Sequence, residues 1–268
     1  MPAEYEAGHP HANEYDFREE GELLSKRLEG ARDSIKKDSS QKWAGQYQQR
    51  PSAKEGNKFK RHLWKRYQGH PAYMARTAEL IYITVDCADK TGATNAYSVI
   101  HVVGKHSTPM GPVTRVYDEW RGKAELPELE IAFEAMCLKW PKAAVKLIED
   151  KANGTALIQL QRRKRTGIIA VNPKGDKDYP GGSKEDRAQY TLASLHGGNG
   201  PELPEDEHAM TSDGSWAQGI IDEHANFPNG IFKDRVDTLS QVSIRIMTDE
   251  QKSYSEQVKE QFGWLDLL

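Results

Sequence analysis

The chain has 268 residues, a net charge of −3, 37% hydrophobic residues and 29% charged residues. These values are typical of a soluble globular chain with one large domain, or one domain and an appendage. No apolar run is long enough to cross a bilayer and the start of the chain shows no secretory signal, so no membrane association is expected. Cys87 and Cys137 are the two cysteines, which excludes a disulfide framework and predicts a reducing, cytoplasmic environment.

Composition divides the chain into three parts. Residues 1–77 are polar and poor in periodic apolar positions, so we expect an N-terminal arm or linker with one helix from Glu19 to Ala31. Residues 78–250 carry a regular hydrophobic pattern and are expected to form the folded domain. Residues 251–268 are expected to be a C-terminal tail whose apolar residues dock on the domain or on a partner.

The elements predicted in the folded domain begin with three strands in an antiparallel meander and continue with alternating helices and strands. The predicted strands are Leu80–Val85, Tyr97–Val103, Val113–Trp120, Ala144–Ile148 and Gly167–Val171. The predicted helices are one opening at Leu126, then Thr155–Arg165, Lys184–Leu195, Ser215–Ala225 and Asp234–Met247. This order predicts a mixed α/β sheet with helices on both faces.

Acidic residues stand where predicted strands end or a predicted helix begins. Asp86 follows the first strand, Glu149 and Asp150 follow the fourth, and Asp234 and Asp237 open the last helix. Each acid alone is an ordinary turn or helix-cap residue. Together they predict a site for two divalent cations, Mg²⁺ or Mn²⁺, of the kind that hydrolyses phosphodiesters. Asp86, Glu149 and Asp234 are the candidate catalytic ligands, and Asp237 or Asp150 is the further ligand.

Basic residues provide a candidate surface for double-stranded DNA, which must be local because the net charge is negative. One group flanks the loop after the fifth strand, a second ends the preceding helix, and one lysine adjoins Glu149. In that order the candidates are Lys174, Lys177, Lys184, Arg187, Arg162, Arg163 and Lys151. The helix-end arginines have an equally good explanation as favourable charges at a helix C-terminus, and Lys151 as a moderator of carboxylate repulsion. The basic-aromatic stretch 58–66 is an alternative DNA surface, although a solvated linker face suits it better.

Three segments resemble the acidic motifs of phage terminase large subunits. The segment LIEDKANGTALI at 147–158 resembles the second motif of that family. The segments NFPNG at 226–230 and DRVDTLSQ at 234–241 resemble the third, and DCADK at 86–90 fits the first. The segment WAGQYQQRP at 43–51 resembles the stretch that joins the family's motor and nuclease domains.

This resemblance implies the C-terminal nuclease domain of a terminase, with an RNase H-like fold. The implied activity is endonucleolytic cutting of concatemeric viral DNA during genome packaging in the cytoplasm of the host cell. The implied partners are an ATPase motor, a small terminase and a portal protein. No Gly-x-x-x-x-Gly-Lys-Ser/Thr phosphate loop occurs in the sequence. The chain is therefore expected to be a fragment, a split-gene product or a prophage remnant that lacks the motor.

Two alternatives remain open at the level of sequence. Lys233 occupies the position where the third motif usually has the first of two aspartates. Together with the missing motor, this favours a non-catalytic packaging component that binds DNA or portal. A resolvase or transposase with an RNase H-like sheet would use similar acids, although the segments at 43–51 and 227–230 make it the weaker hypothesis.

Overall fold

The computed structural model describes residues 3–5, 17–19, 21–29, 32, 58–88, 97–109, 111–176 and 179–262, with side chains as far as Ser253. The predicted junction segment at 43–51 and the candidate Lys177 lie outside these residues. Within the described part of the chain, no helix is long and apolar enough to cross a membrane.

A five-stranded mixed sheet forms the centre of the domain. Its strands are β1 (Leu80–Asp86), β2 (Ser98–Thr108), β3 (Gly111–Gly122), β4 (Ala143–Glu149) and β5 (Ile168–Val171). Their order across the sheet is β3-β2-β1-β4-β5. The first three strands pair antiparallel, and β1, β4 and β5 pair parallel. The mixed α/β sheet expected of an RNase H-like domain is therefore confirmed.

Five helices cover the sheet: α1 (Leu126–Lys139), α2 (Asn153–Arg162), α3 (Lys184–His196), α4 (Trp216–Asn226) and α5 (Asp234–Phe262). Helices α1 and α2 share one hydrophobic cluster with the sheet, and α3, α4 and α5 share the other. Side chains of a strand alternate between faces, so Ile83 and Val85 enter the first cluster and Tyr82 enters the second. The predicted placement of helices on both faces is also confirmed.

The short elements lie mostly at the edges of this body. They are a short α-helix at Pro71–Met74, 3₁₀ turns at Lys26–Leu28, Arg61–Leu63, Ala75–Thr77 and Asp206–His208, and the strand pairs Arg66–Tyr67 with Leu203–Pro204 and Met210–Thr211 with Gly214–Ser215. The helix expected from Glu19 to Ala31 is wrong over its described residues, which form only the first of these turns. Leu23 and Leu28 are half-buried there and Leu24 is 54% exposed, so the three leucines do not form one buried helical stripe.

Two predicted elements are much shorter than the observed ones. Strand β2 continues five residues beyond Val103, the predicted end, and passes through Gly104. Gly104 is required there because the phenol of Tyr117 packs against it, and a Cβ would lie 2.1 Å from the Tyr117 hydroxyl oxygen. Helix α5 continues to Phe262 through a polar segment without an apolar stripe, where helix-forming residues sustain it.

Residues 58–77, which composition assigns to an arm, pack against the domain. Phe59 and Trp64 are buried in the cluster beneath α4 and α5. Their rings meet the imidazole of His224 edge-on, with centroid distances of 4.9 and 4.8 Å. The aromatic residues of this basic stretch therefore stabilise the core, while Lys58 and Lys65 are exposed.

Candidate functional site

Two carboxylates meet at the carboxyl ends of neighbouring parallel strands. The register pairs Val85 of β1 with Ile148 of β4, so the next residues, Asp86 and Glu149, lie side by side. Strand alternation turns both toward the face that carries α5. Asp86 is 8% exposed and Glu149 is 7% exposed, so both carboxylates lie largely out of solvent.

Helix α5 supplies two more carboxylates to this place. Its Gln241 accepts a hydrogen bond from the hydroxyl of Thr84 (3.0 Å) and donates one to Glu149 Oε2 (3.4 Å). These contacts fix the helix above the ends of β1 and β4. Asp237 lies one turn before Gln241 and Asp234 a further turn back. We call Asp86, Glu149, Asp234 and Asp237 the carboxylate cluster.

Helix α3 contributes the two cations of the site. Arg187 is 4% exposed, and its guanidinium lies 3.0 Å from Asp237 Oδ1 and 3.8 Å from Glu149 Oε2. Lys184 forms an ion pair with the other oxygen of Asp237, and its side chain is 45% exposed. Ser183 and Asp186 form a capping box at the start of this helix, which fixes where both cations emerge.

Burial is the largest cause of the raised pKa values of three carboxyl groups in the cluster. Burial raises the pKa of Asp86 well above its ordinary value, and the charges of Asp237 and Glu149 raise it further. Burial and Asp237 likewise raise the pKa of Glu149, and burial raises the pKa of Asp234. Burial lowers the pKa of Lys184, but the carboxylates of Asp237 and Asp86 outweigh it, so the net shift is upward.

The turn from β4 into α2 has a constrained backbone. Ala152 precedes the helix with a φ of 49°, in the left-handed region that non-glycine residues rarely adopt. At Gly154 a Cβ would lie 2.0 Å from the carbonyl oxygen of Glu149. The glycine of the LIEDKANGTALI segment is therefore needed for α2 to begin against the strand that presents Glu149.

A second buried network holds the first turn of α5 in place. Arg235 donates two hydrogen bonds to Glu119 of β3, at 2.7 and 2.6 Å, and its backbone amide donates to Glu223 of α4 at 2.7 Å. His101 of β2 lies 2.8 Å from Glu119 and 2.7 Å from the hydroxyl of Thr238. We call His101, Glu119, Glu223 and Arg235 the anchor network, and it fixes the direction in which Asp234 and Asp237 point.

The remaining acidic and nearby basic candidates lie on the surface. Asp150 is exposed and accepts a hydrogen bond from Thr155 (2.7 Å), so its described contact is with α2 rather than with the cluster. Lys151 is exposed, and its charge lowers the pKa of Glu149 without offsetting burial. Lys174 is exposed in the turn after β5, where its amide donates to Asn172.

Arg162 and Arg163 lie at the end of α2 that is remote from the cluster. The helix begins beside Glu149 and has 10 residues. At a rise of about 1.5 Å per residue, its last turn is roughly 15 Å away. The adjacent Lys164 pairs with Glu130 and Glu134 of α1. The charges at this helix end thus join two helices on the opposite face of the sheet.

The role of Gln241, the anchor network and the burial of Arg187 were not predicted from the sequence. Gln241 had one visible signal, since it is a polar residue four positions after Asp237 on a helix face that otherwise buries apolar residues. Arg187 and Glu119 had none, because arginines and glutamates are usually exposed and only tertiary packing reveals a buried pair.

The cluster offers oxygen ligands suitable for a hard divalent cation. Within the described ranges, no three His, Cys, Asp or Glu side chains are close enough to form a ready-made metal cage. However, Asp234 Oδ2 is buried without a hydrogen-bond partner. Among the described residues, Lys184 and Arg187 form ion pairs with Asp237 and Glu149, and no ion pair reaches Asp86 or Asp234. An orphaned carboxylate oxygen beside excess negative charge fits a cation held by carboxylates and water.

Comparison with known proteins gives likenesses among solved structures alone, since the chain matches no protein-family model and no curated protein. The large terminase nuclease from thermophilic phage G20c with bound zinc has a TM-score of 0.42 at 16% identity, covering 60% of this chain and 78% of that one. The nuclease domain of the large terminase subunit of bacterial virus Sf6, with manganese and beta-thujaplicinol, gives 0.40 at 9% identity, covering 67% and 93%. The Fowlpox virus resolvase in complex with Holliday junction DNA gives 0.32 at 11% identity, covering 67% and 99%.

Proposed function

We propose that this chain is a divalent-metal-dependent endonuclease that cuts double-stranded DNA. The observation that carries the proposal is the convergence of three buried carboxylates and one half-buried carboxylate, from two neighbouring strand ends and one helix, of which Asp86 and Asp234 have no ion pair among the described residues. A stable domain does not gather uncompensated buried charge without a reason, because burial of an unpaired carboxylate costs several kcal/mol or shifts its pKa.

We assign Asp86, Glu149 and Asp234 as the principal ligands of two ions, Mg²⁺ or Mn²⁺. Asp237 is the further ligand in preference to Asp150, because Asp237 is 2% exposed within the cluster and Asp150 is exposed outside it. When bound, such ions supply an acidified water and neutralise charge on the scissile phosphate.

The surrounding side chains orient the ligands and receive the substrate. Gln241 orients Glu149 through the hydrogen bond that its side-chain amide donates. Arg187 lies within ion-pair distance of both Glu149 and Asp237 and so holds these two carboxylates together. The exposed part of Lys184 gives its ammonium a route from Asp237 to a phosphate oxygen. Ion binding at Asp237 and phosphate binding by Lys184 would then occur together.

The candidate DNA surface is narrower than the full set of basic residues. Lys151, Lys174 and Lys184 are exposed, and they lie shortly after β4, shortly after β5 and at the start of α3. Arg187 is buried and acts as a counter-charge, and Arg162 and Arg163 lie at the far end of α2. We therefore assign the phosphate contacts to the three lysines, together with Lys177 from the adjoining loop.

We assign the packaging role, with an ATPase motor, a small terminase and a portal protein as partners, from the motif resemblance. The structure supports it only through the motif residues themselves. Glu149, Gly154 and Asp237, which belong to those motifs, all take part in building the cluster. A different function is favoured by one observation: Lys184 and Arg187 already neutralise Asp237, as in a non-catalytic component that binds DNA or portal.

Plasmid cleavage separates these two functions. We expect purified protein to nick supercoiled DNA in Mn²⁺, and Asp86→Asn and Glu149→Gln each to reduce the rate on the order of 10³-fold, the scale of losing an electrostatic catalytic group. Asp150→Asn is the matched control, because it removes a neighbouring carboxylate outside the cluster. Equal activity of Asp86→Asn and the wild type would refute the nuclease assignment and favour the non-catalytic component.

A further inference from the structure

One arginine stands beside the carboxylate cluster in the same row of the sheet. Cross-strand pairing joins Asp86 of β1 to Val99 of β2, and Val99 to Arg121 of β3. Residues paired in this way share a face, so Arg121 projects toward the side that carries α5. Two strand spacings of about 4.8 Å place its Cα roughly 10 Å from that of Asp86. Arg121 is thus a neighbour of the cluster but not a member of it.

Two aromatic rings hold the guanidinium of Arg121. Its central carbon lies 3.6 Å from the ring centroid of Tyr97 and 4.9 Å from that of Phe232. The two rings contact each other edge-on at 5.2 Å. Tyr97 directly precedes β2, and Phe232 lies two residues before Asp234, where α5 begins. Stacking of this kind fixes the plane of a guanidinium while leaving its N–H groups available.

Arg121 differs from the other arginines of this region in having no polar partner. Arg187 pairs with Asp237, and Arg235 pairs with Glu119. Arg121 forms no hydrogen bond or ion pair with any residue in the described ranges, and its Nε is buried without an acceptor. Lys123, two residues on, also lies against the Tyr97 ring, at 5.4 Å. Asp234, Glu223 and Glu119 act on Arg121 only through charge at longer range. An oriented guanidinium at the rim of the site that forms no ion pair among the described residues suits an anion from outside the chain.

We propose that Arg121 binds a backbone phosphate of the DNA strand next to the scissile one, with Tyr97 and Phe232 as positioning residues. The proposal deepens the nuclease function and rests on it for the identity of the strand. A guanidinium fork matches two phosphate oxygens, and phosphate contacts fix the register of a duplex without reading its sequence. Arg121 thereby positions the DNA strand across the paired residues Arg121, Val99 and Asp86 of the sheet.

Binding of a fluorescein-labelled blunt duplex, followed by fluorescence anisotropy in EDTA, tests the inference without cleavage. We expect Arg121→Gln to weaken binding about tenfold and to lower the salt slope of log K by roughly 0.9, the value for one lost phosphate contact. Arg163→Gln, a matched loss of charge at the far end of α2, should leave the slope unchanged. Arg121→Lys should keep the slope and recover part of the affinity, because the charge remains but the fork is lost.

Cleavage kinetics in Mn²⁺ distinguish this inference from the nuclease proposal. We expect Arg121→Gln to raise KM and to change kcat only a few-fold, whereas Asp86→Asn should lower kcat strongly. A salt slope for Arg121→Gln equal to that of the wild type, with Arg121→Lys also unchanged, would overturn the role of Arg121 and leave the nuclease proposal standing. If Arg121→Gln lowers the salt slope as expected but the wild-type protein does not cleave DNA in Mn²⁺, the nuclease proposal would be overturned instead.

Discussion

The carboxylate cluster and the anchor network are both buried, lie on the same face of the sheet and share helix α5, yet their charges are balanced differently. In the anchor network, burial raises the pKa of Glu119, but hydrogen bonds from Arg235 and His101 outweigh burial and lower it to about 2. In the cluster, burial and neighbouring carboxylates raise the pKa of Asp86 and Glu149. Glu119 is therefore compensated within the chain, although burial raises the pKa of Glu223 in the same network to about 7 because Arg235 and Arg121 offset it only in part. The cluster acids Asp86 and Glu149 lack the paired hydrogen bonds that Glu119 receives from Arg235 and His101.

The difference separates a structural role from a functional one. Arg235 and Asp237 lie two residues apart on the same helix, and the first completes a network that the second does not enter. Paired buried charges stabilise the fold and hold the helix in place, whereas carboxylates without a paired cation favour binding of a positive ion. The anchor network therefore holds the first turn of α5 that carries Asp234 and Asp237.

The largest expected effect on stability comes from breaking the anchor network. Glu119→Gln should lower the free energy of unfolding by about 3–5 kcal/mol, because it leaves the Arg235 guanidinium buried without its carboxylate. Chemical denaturation monitored by circular dichroism measures this. Glu202→Gln is the matched control, since Glu202 pairs with Arg115 at a more exposed site, and it should cost about 0–1 kcal/mol. Equal losses in the two variants would contradict the structural role of the network.

The opposite sign is expected in the carboxylate cluster. Asp86→Asn should raise the free energy of unfolding in metal-free buffer by about 1–3 kcal/mol, the range of typical point mutations, because it removes one of four crowded charges. The melting temperature should rise by about 2–4 °C for each kcal/mol in a domain of this size. Addition of Mn²⁺ should stabilise the wild type and not the variant. Destabilisation by Asp86→Asn in metal-free buffer would show that the cluster is compensated after all.

A smaller effect is expected at His224, which is buried without any counter-charge. Its Nδ1 donates to the carbonyl of Ile220 (2.8 Å), and burial lowers its pKa to about 3. Below pH 6.5 the His224 imidazole binds a proton in the unfolded chain but stays neutral in the folded chain, so the free energy of unfolding falls as pH falls. Between pH 7.5 and 5.5 this one group should cost about 1.4 kcal/mol. His224→Gln should flatten the pH dependence by that amount, whereas substitution of the exposed His196 should not.

The sequence carries enough information for the sheet and for the meeting of Asp86 with Glu149. Both residues follow apolar strands, and parallel neighbours bring their carboxyl ends to one edge. The helix that begins at Asp234 was predictable from its apolar periodicity. The counter-charges were not, since the burial of Arg187 and the clamping of Arg121 by Tyr97 depend on how α3 and the strand ends pack. Local patterns also gave the wrong result at Glu19–Ala31, where the described residues form only a 3₁₀ turn and Leu24 stays exposed.

Calorimetric titration of metal-free protein with Mn²⁺ tests the central claim most directly. We expect saturable Mn²⁺ binding to the wild type. This binding should be lost in Glu149→Gln and Asp237→Asn and retained in Asp150→Asn. Lys184→Gln should bind Mn²⁺ more tightly, because the ammonium that competes for Asp237 is gone. Absence of Mn²⁺ binding in the wild type and in Lys184→Gln would contradict the account, since the cluster would then be satisfied by the cations of α3 alone.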